Sequence, residues 1–221
     1  MFDFAAARRM MVDGQVRTAD VNEPRLLAAL SDIPREMFLP GHQAELAYLD
    51  RDLRVGGEGA PARHLLKPMV LAKLIQAAEI AETDAVLDVG CATGYSTAVL
   101  SRMALSVVGL EEDGTLAKSA TEALARNGIR NAEIVSGPLI AGWPDRQPYD
   151  VIVVQGAVEV LPESLSGQLK EGGRLVCVFG RSPAGKATVC RMIDGALSER
   201  PIFDASAAML PGFEKPPAFV F

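Results

Sequence analysis

The chain is expected to fold as an α/β domain: a mostly parallel seven-stranded sheet with helices on both faces and a helical cap at the N-terminus. Two observations predict it. The first is a regular alternation of β and α signals from residue 85 onward, which places parallel strands in one sheet and the intervening helices on its faces. The second is the stretch Val86-Leu87-Asp88-Val89-Gly90-Cys91-Ala92-Thr93-Gly94-Tyr95, an apolar run entering a turn of small residues, with Ala98, Val99 and Leu100 following at helical spacing. A strand buried in a parallel sheet reads as such a run, and glycines let the backbone turn sharply and come close to a ligand. With 221 residues, 49% of them hydrophobic, the chain can build one sizeable core. A single domain over 1–221 is therefore expected, with 1–68 as cap and loop and 69–221 as the α/β core.

Taken in order, apolar residues recur at helical spacing from about Phe4 to Val16 and from Glu23 to Leu30. Asn22 or Asp20 is placed to cap the second helix, with Pro24 in its first turn. Ile33 to Pro40 is a proline-bracketed elbow, and a short helix follows through 44–48. Gly56 to Pro68 reads as a loop, glycine-rich and then apolar and basic, and long loops in compact domains tend to carry function. A helix over Met69 to Ala81 leads into strands at 85–89, 106–110, 132–136, 149–154 and 173–179, with helices at 94–103, 115–127 and 162–170. Gly172-Gly173 makes a tight entry to the last of these strands. Apolar runs at 187–193 and 217–221 predict an antiparallel edge pair, with a turn at Leu210-Pro211-Gly212-Phe213 between them.

Composition excludes several classes of function. A net charge of -6 and a pI near 5.1 argue against sequence-independent binding to a phosphate backbone, so no nucleic-acid partner is expected. Cys91, Cys177 and Cys190 are odd in number and widely spaced, which reads as buried thiols in a reducing compartment. No cysteine pair has metal-ligand spacing, and two histidines without a carboxylate at fixed helical spacing predict no metal site; His42 reads as a loop residue. The N-terminus lacks the order of a secretory signal and no apolar run is long enough to span a bilayer, so a cytoplasmic protein with no membrane partner is expected.

About twenty residues after Gly90, the run Val107-Val108-Gly109-Leu110 ends in Glu111, where a carboxylate can accept both ribose hydroxyls of an adenosine. The turn is a GxxxG, not the GxGxxG of dinucleotide sites, and it lacks the Lys-Ser/Thr pair of a phosphate loop. An adenosine-containing cofactor is the reading that remains. It requires Glu111 to lie near the bend, with an open hollow between them.

Opened by Asp88, this turn resembles the first motif of S-adenosylmethionine-dependent methyltransferases. The wider chain resembles the protein-L-isoaspartate (D-aspartate) O-methyltransferases. The match runs through Gln15-Val16, the elbow Ile33-Pro34-Arg35-Glu36-Met37-Phe38, Ala47-Tyr48-Leu49-Asp50, the glycine turn, Gly142-Trp143-Pro144 before Pro148-Tyr149-Asp150-Val151-Ile152-Val153, and Gln168-Leu169-Lys170-Glu171-Gly172-Gly173-Arg174-Leu175-Val176. The resemblance implies a Rossmann-like class I methyltransferase that uses S-adenosyl-L-methionine to methylate the α-carboxyl of L-isoaspartyl residues in damaged proteins. Its partner would be a protein or peptide carrying that carboxylate. By position, the cofactor-binding residues would be Asp88, Gly90, Cys91, Ala92, Gly94, Tyr95, Glu111, Glu112, Pro138 and Leu139. The catalytic residues, on the acceptor side, would be His64, Leu66 and Asp50. Transfer from a sulfonium to an ionised carboxylate needs little acid-base help, so positioning would supply most of the rate.

Two segments depart from the family. Its Thr-Ile-Ser-x-Pro loop is replaced by His64-Leu65-Leu66-Lys67-Pro68, and leucine cannot donate the hydrogen bond of a hydroxyl. Arg63, His64 and Lys67 either take over anion recognition or form a solvated loop face. Its Gly-Asp-Gly after the third strand becomes Gly137-Pro138-Leu139, and Pro138 has neither a side-chain acceptor nor a backbone donor. Tyr48 and Asp50 lie near the family's acceptor-binding segment, with Asp50 either a cap or a substrate contact. Trp143 packs beside the cofactor or anchors a loop. Three readings stay open: an isoaspartyl methyltransferase, a methyltransferase for another acceptor, and a non-catalytic interaction module.

Overall fold

The structure is a computed structural model and describes residues 2–56 and 63–216. Helix α1 (Phe4–Met11) is capped by Asp3, whose carboxylate accepts the Ala6 amide at 2.9 Å. The predicted run to Val16 changes pitch at its end, where Val12–Val16 is a π-helical turn and Arg17–Ala19 a 3-10 turn. In α2 (Pro24–Asp32) the cap is Glu23, not Asn22 or Asp20, and its carboxylate accepts the Arg25 amide at 3.2 Å. The elbow contains a 3-10 turn at Arg35–Phe38, and the short helix expected at 44–48 is a second 3-10 turn at Gly41–Leu46.

Two short strands flank the start of the predicted loop and interrupt it, β1 (Leu53–Val55) just before Gly56 and β2 (Arg63–Leu65) inside it, paired antiparallel with Val55 opposite Arg63. Three residues each are too few for a period-2 pattern to stand out. Helix α3 (Pro68–Ala77) starts at a proline and ends earlier than residue 81, with Glu79 at φ 49 just beyond it.

From there the chain runs β3 (Ala85–Val89), α4 (Tyr95–Ser101), β4 (Ser106–Glu111), α5 (Gly114–Arg126), β5 (Ala132–Ser136), β6 (Tyr149–Val158), α6 (Glu163–Ser166), β7 (Leu169–Phe179), β8 (Lys186–Ile193) and β9 (Ala196–Asp204). They form a seven-stranded sheet in the order β5-β4-β3-β6-β7-β8-β9. The first five strands in that order are parallel, and β7, β8 and β9 close the edge as an antiparallel meander. The seven-stranded, mostly parallel expectation stands, with two corrections. The helix expected over 162–170 is four residues of α6, because β7 begins at Leu169 opposite Tyr149. The last strand among the described residues is β9, a polar edge strand that carries Pro201; residues 217–221, where a strand is expected, lie outside the described residues.

Alternation along the central strands sends Val86, Val151 and Val153 to one core and Leu87, Val89, Ile152 and Val154 to the other. Helices therefore cover both faces. Met11, Leu26 and Leu30 of the cap enter the first of these cores together with α3 and α4. All three cysteines are buried and free. Among the described residues no helix is long and apolar enough to cross a membrane. From β3 the chain moves outward to β4 and β5 and then returns across β3 to β6, so the strand order reverses at β3. Ligands of such sheets bind in the crevice beyond the carboxyl ends of the strands at that reversal.

Candidate functional site

At the end of β3 the turn is built with left-handed backbone at Gly90 (φ 78), Ala92 (φ 52) and Gly94 (φ 90). The amides of Gly90 and Cys91 donate to the Leu110 carbonyl at 2.8 and 3.1 Å, stitching the turn to the end of β4. Beneath it Asp88 is fully buried. Its Oδ2 accepts from Ser96 Oγ at 2.7 Å and Thr97 Oγ1 at 2.6 Å, and its Oδ1 from Gln155 Nε2 at 2.7 Å. Burial without a cation pushes the Asp88 carboxyl up to about 6, although the three donors pull the other way. Cys91 turns its Sγ toward the sheet, 3.2 Å from where a Cβ on Gly109 would stand, and burial drives its thiol up.

Glu111, the last residue of β4, is also fully buried. Its Oε2 accepts the Ala92 amide at 2.8 Å, and its Oε1 accepts the amides of Glu112 and Asp113 at 2.9 and 3.1 Å. The acid and the bend are therefore neighbours, as the sequence predicts. The hollow between them is not open. Arg63 of β2 donates Nε to Glu111 Oε1 at 3.1 Å and Nη2 to Oε2 at 2.8 Å, and its side chain is only 5% exposed. A Cβ on Gly90 would lie 2.7 Å from Arg63 Nη2 and 3.3 Å from Leu210.

Leu210 arrives from the segment after β9. The Ala157 amide donates to the Ala208 carbonyl at 2.8 Å and the Leu210 amide to the Ala157 carbonyl at 3.0 Å, so this segment is tied across the end of β6. A Cβ on Gly156 would meet Leu210 at 2.6 Å. The predicted turn at 210–213 is present, with Gly212 at φ 83, but it serves this crossing and not an edge pair.

The elbow closes the site from the cap side. Thr93 Oγ1 donates to the Phe38 carbonyl at 2.6 Å, and the Phe38 and Tyr95 rings meet edge-on at 5.6 Å. Arg35 is completely buried, donating to the carbonyls of Ala47 and Leu66 at 2.8 Å each, with its guanidinium 4.7 Å from the Tyr95 ring centre. Burial lowers the Arg35 pKa from the usual guanidinium value and raises that of Tyr95.

Of the acceptor-side residues, His64 and Leu66 line a cavity of about 10 Å³ against Gly90, Tyr95 and Gln155. Asp50 is apart from them, exposed, with Oδ1 accepting the Met69 amide at 3.2 Å at the start of α3. Asp52 Oδ1 similarly accepts the Lys67 amide at 2.8 Å. Tyr48 accepts from Arg8 Nε at 2.8 Å and donates to Glu36, tying α1 to the elbow. Glu112 points to solvent and reaches the site only through its amide; Pro138 is exposed, and Leu139 is buried in the core with Leu87 and Leu110. Trp143 lies 3.4 Å from where a Cβ on Gly137 would stand, and its carbonyl accepts the Tyr149 hydroxyl at 2.7 Å. Its contacts at that position are those of a loop anchor.

Sequence reasoning missed Gln155, Arg35 and Leu210 as parts of the site. Gln155 has a visible signal, a lone amide after the apolar Val151–Val154 at the end of a central strand. Arg35 has a weaker one, a charge between Ile33 and Phe38.

The family described as protein-L-isoaspartate(D-aspartate) O-methyltransferase matches residues 7–198 of the chain. The chain belongs to this family. Protein-L-isoaspartate O-methyltransferase 1 of Rhodopseudomonas palustris is 39% identical over 186 residues, covering 84% of this chain and 74% of that protein. A relative of the same name from Methanoculleus marisnigri is 39% identical over 173 residues, covering 78% and 77%. Among solved structures, a protein-L-isoaspartate O-methyltransferase superposes with a TM-score of 0.81 at 27% identity, covering 93% of this chain and 66% of that one. A Plasmodium falciparum structure described as a putative family member in complex with S-adenosyl-L-homocysteine has a TM-score of 0.78 at 17% identity and 95% and 99% coverage, a likeness of fold.

The family is one of S-adenosylmethionine-dependent methyltransferases. In this member Glu111, Gly90 and the Ala92 turn lie together, where the sequence expectation puts the nucleoside end of that cofactor, but the room for it is not there. Cofactor pockets enclose on the order of 300–1,000 Å³, against about 10 Å³ beside Gly90. A larger cleft of about 330 Å³ between the elbow and α5 includes neither Asp88 nor Glu111 in its walls. As arranged here, the site does not admit the cofactor.

Proposed function

We propose that the chain is a protein-L-isoaspartate O-methyltransferase that takes its methyl group from S-adenosyl-L-methionine. The observation that carries this reading is the 2.8 Å contact between Glu111 and the Ala92 amide, which sets an acid at the end of β4 against the glycine turn in a chain that matches the family over 7–198. When bound, the cofactor supplies an electrophilic methyl on a sulfonium. The chain's own residues hold and enclose. Asp88 fixes the turn through Ser96, Thr97 and Gln155, and Arg35 and Phe38 back it from the elbow.

The acceptor is a carboxylate of an isoaspartyl residue in a protein or peptide, already ionised near neutral pH. It calls for orientation and exclusion of water more than for a general base. His64 is the residue we assign to the acceptor side, with Leu66 as an apolar wall and Asp50 holding the start of α3. On this reading residues 1–68 form the cap and acceptor loop, residues 69–221 the cofactor core, and the protein works in the cytoplasm without nucleic acid or metal.

Methyl transfer from labelled S-adenosylmethionine to an isoaspartyl peptide tests it. Transfer above the level of Asp88→Ala and Gly90→Val controls is expected, and its absence would overturn the reading. A methyltransferase for another acceptor is favoured by one observation, that Leu66 in the cavity wall has no hydroxyl. It would label components of a cell extract while leaving the isoaspartyl peptide untouched.

A further inference from the structure

The Arg63 guanidinium meets Glu111 as a ribose would. A ribose diol offers one O–H to each carboxylate oxygen; Arg63 offers one N–H to each, at 3.1 and 2.8 Å. With the amides of Ala92, Glu112 and Asp113, five N–H groups converge on one carboxylate. A carboxylate has about four lone-pair sites, so a diol can bind only in the two places that Arg63 holds. The approach over Gly90, which the missing side chain opens, is likewise used by Arg63 Nη2 and Leu210. The two groups come from different elements, Arg63 from β2 and Leu210 from the segment bonded to Ala157 on β6.

We infer that this chain occludes its own donor site: Arg63 occupies the ribose position on Glu111, Leu210 wedges the crevice over Gly90 and Gly156, and the nucleoside binds only by displacing them. The inference rests on the proposed donor. Departure of Arg63 leaves Glu111 with its three backbone donors, so the acid stays in position to receive a diol. A site competent for only a fraction of the time binds more weakly in inverse proportion to that fraction. Arg63 thereby sets cofactor affinity without belonging to the chemistry.

Calorimetric titration with S-adenosylhomocysteine tests this on the full chain, its Arg63→Ala and Arg63→Gln variants, and Leu210→Ala, each checked for folding by circular dichroism. Binding to the Arg63 variants roughly tenfold or more tighter than to the wild type is expected, with a smaller gain for Leu210→Ala. Equal Kd values for wild type and variants would overturn the occlusion and leave the donor reading standing. No binding by the wild type or by any folded variant would overturn the donor reading, and the occlusion with it. Should neither Arg63 variant fold, Leu210→Ala decides on the same criterion, because it leaves the Arg63–Glu111 pair whole.

Discussion

Two buried carboxylates stand at the ends of neighbouring parallel strands, and the chain satisfies them in opposite ways. Asp88 on β3 is held by a serine, a threonine and a glutamine amide, all neutral and all from elements of the central sheet or the helix that follows the turn. Glu111 on β4 is held by three backbone amides and by a cation from β2, outside the main sheet. The first nest is closed by the fold itself. The second depends on one side chain that can leave without taking an element of the sheet with it. On the proposed function, a carboxylate that fixes the turn and a carboxylate that takes a ligand are thus distinguished by where their donors come from.

The strongest way to break this comparison is to remove the acid of the second nest. Glu111→Leu leaves Arg63, with 5% of its side chain exposed, facing no counter-charge, and leaves three amides without their acceptor. Breaking a buried pair from one side costs about 3–5 kcal/mol, and that loss is expected in urea denaturation. A loss under about 1 kcal/mol would mean that Glu111 can be replaced as easily as a surface residue.

The first nest is sharpened by pH. The Asp88 carboxyl is raised from 3.8 to about 6 in the folded chain, so between those values the native state keeps a proton that the unfolded chain has released. Stability from this group is full below about pH 4 and is lost as pH rises through about 6. A shift of about two units corresponds to roughly 3 kcal/mol. Asp88→Asn keeps an acceptor for Gln155 and removes the titration. Urea midpoints near pH 4 and pH 7 are therefore expected to differ less for the variant than for the wild type after common effects cancel. Parallel profiles would show that Asp88 is ionised throughout.

The two acids and the glycine turn were legible in the sequence and the side chains that hold the acids were not, for a physical reason. Asp88, Gly90 and Gly94 sit in one continuous stretch whose strand-turn-helix pattern is local, and Glu111 follows at the spacing of one βα unit. The partner of Glu111 lies 48 positions away, on a three-residue strand with no periodicity to read. Arg63 could be recognised as a cation near the site, but nothing in its neighbours says that it faces an acid of the chain and not one of a substrate. Leu210 is one apolar residue before a proline, and only the crossing at Ala157 gives it a role. The edge strand was misplaced for a similar reason. Ala196–Asp204 carries Glu199, Arg200 and Pro201 in its middle, because an edge exposed to water needs no apolar face, so the apolar tail drew the assignment instead.

The smallest expected effect comes from a third carboxylate, Asp50, which separates holding a backbone from touching a substrate. Asp50 is exposed and accepts the Met69 amide at 3.2 Å, one of the amides that the first turn of α3 cannot satisfy internally. In water such a contact competes with solvent, and its loss is expected to cost about 0.5–1 kcal/mol. Asp50→Ala should therefore lower the urea midpoint slightly, and Asp50→Asn, which keeps an acceptor oxygen, should recover most of it. If Asp50 instead met the acceptor, the asparagine variant would remain stable while KM for the isoaspartyl peptide rose. The split between midpoint and KM assigns the residue, because a capping carboxylate moves the first and a substrate contact moves the second.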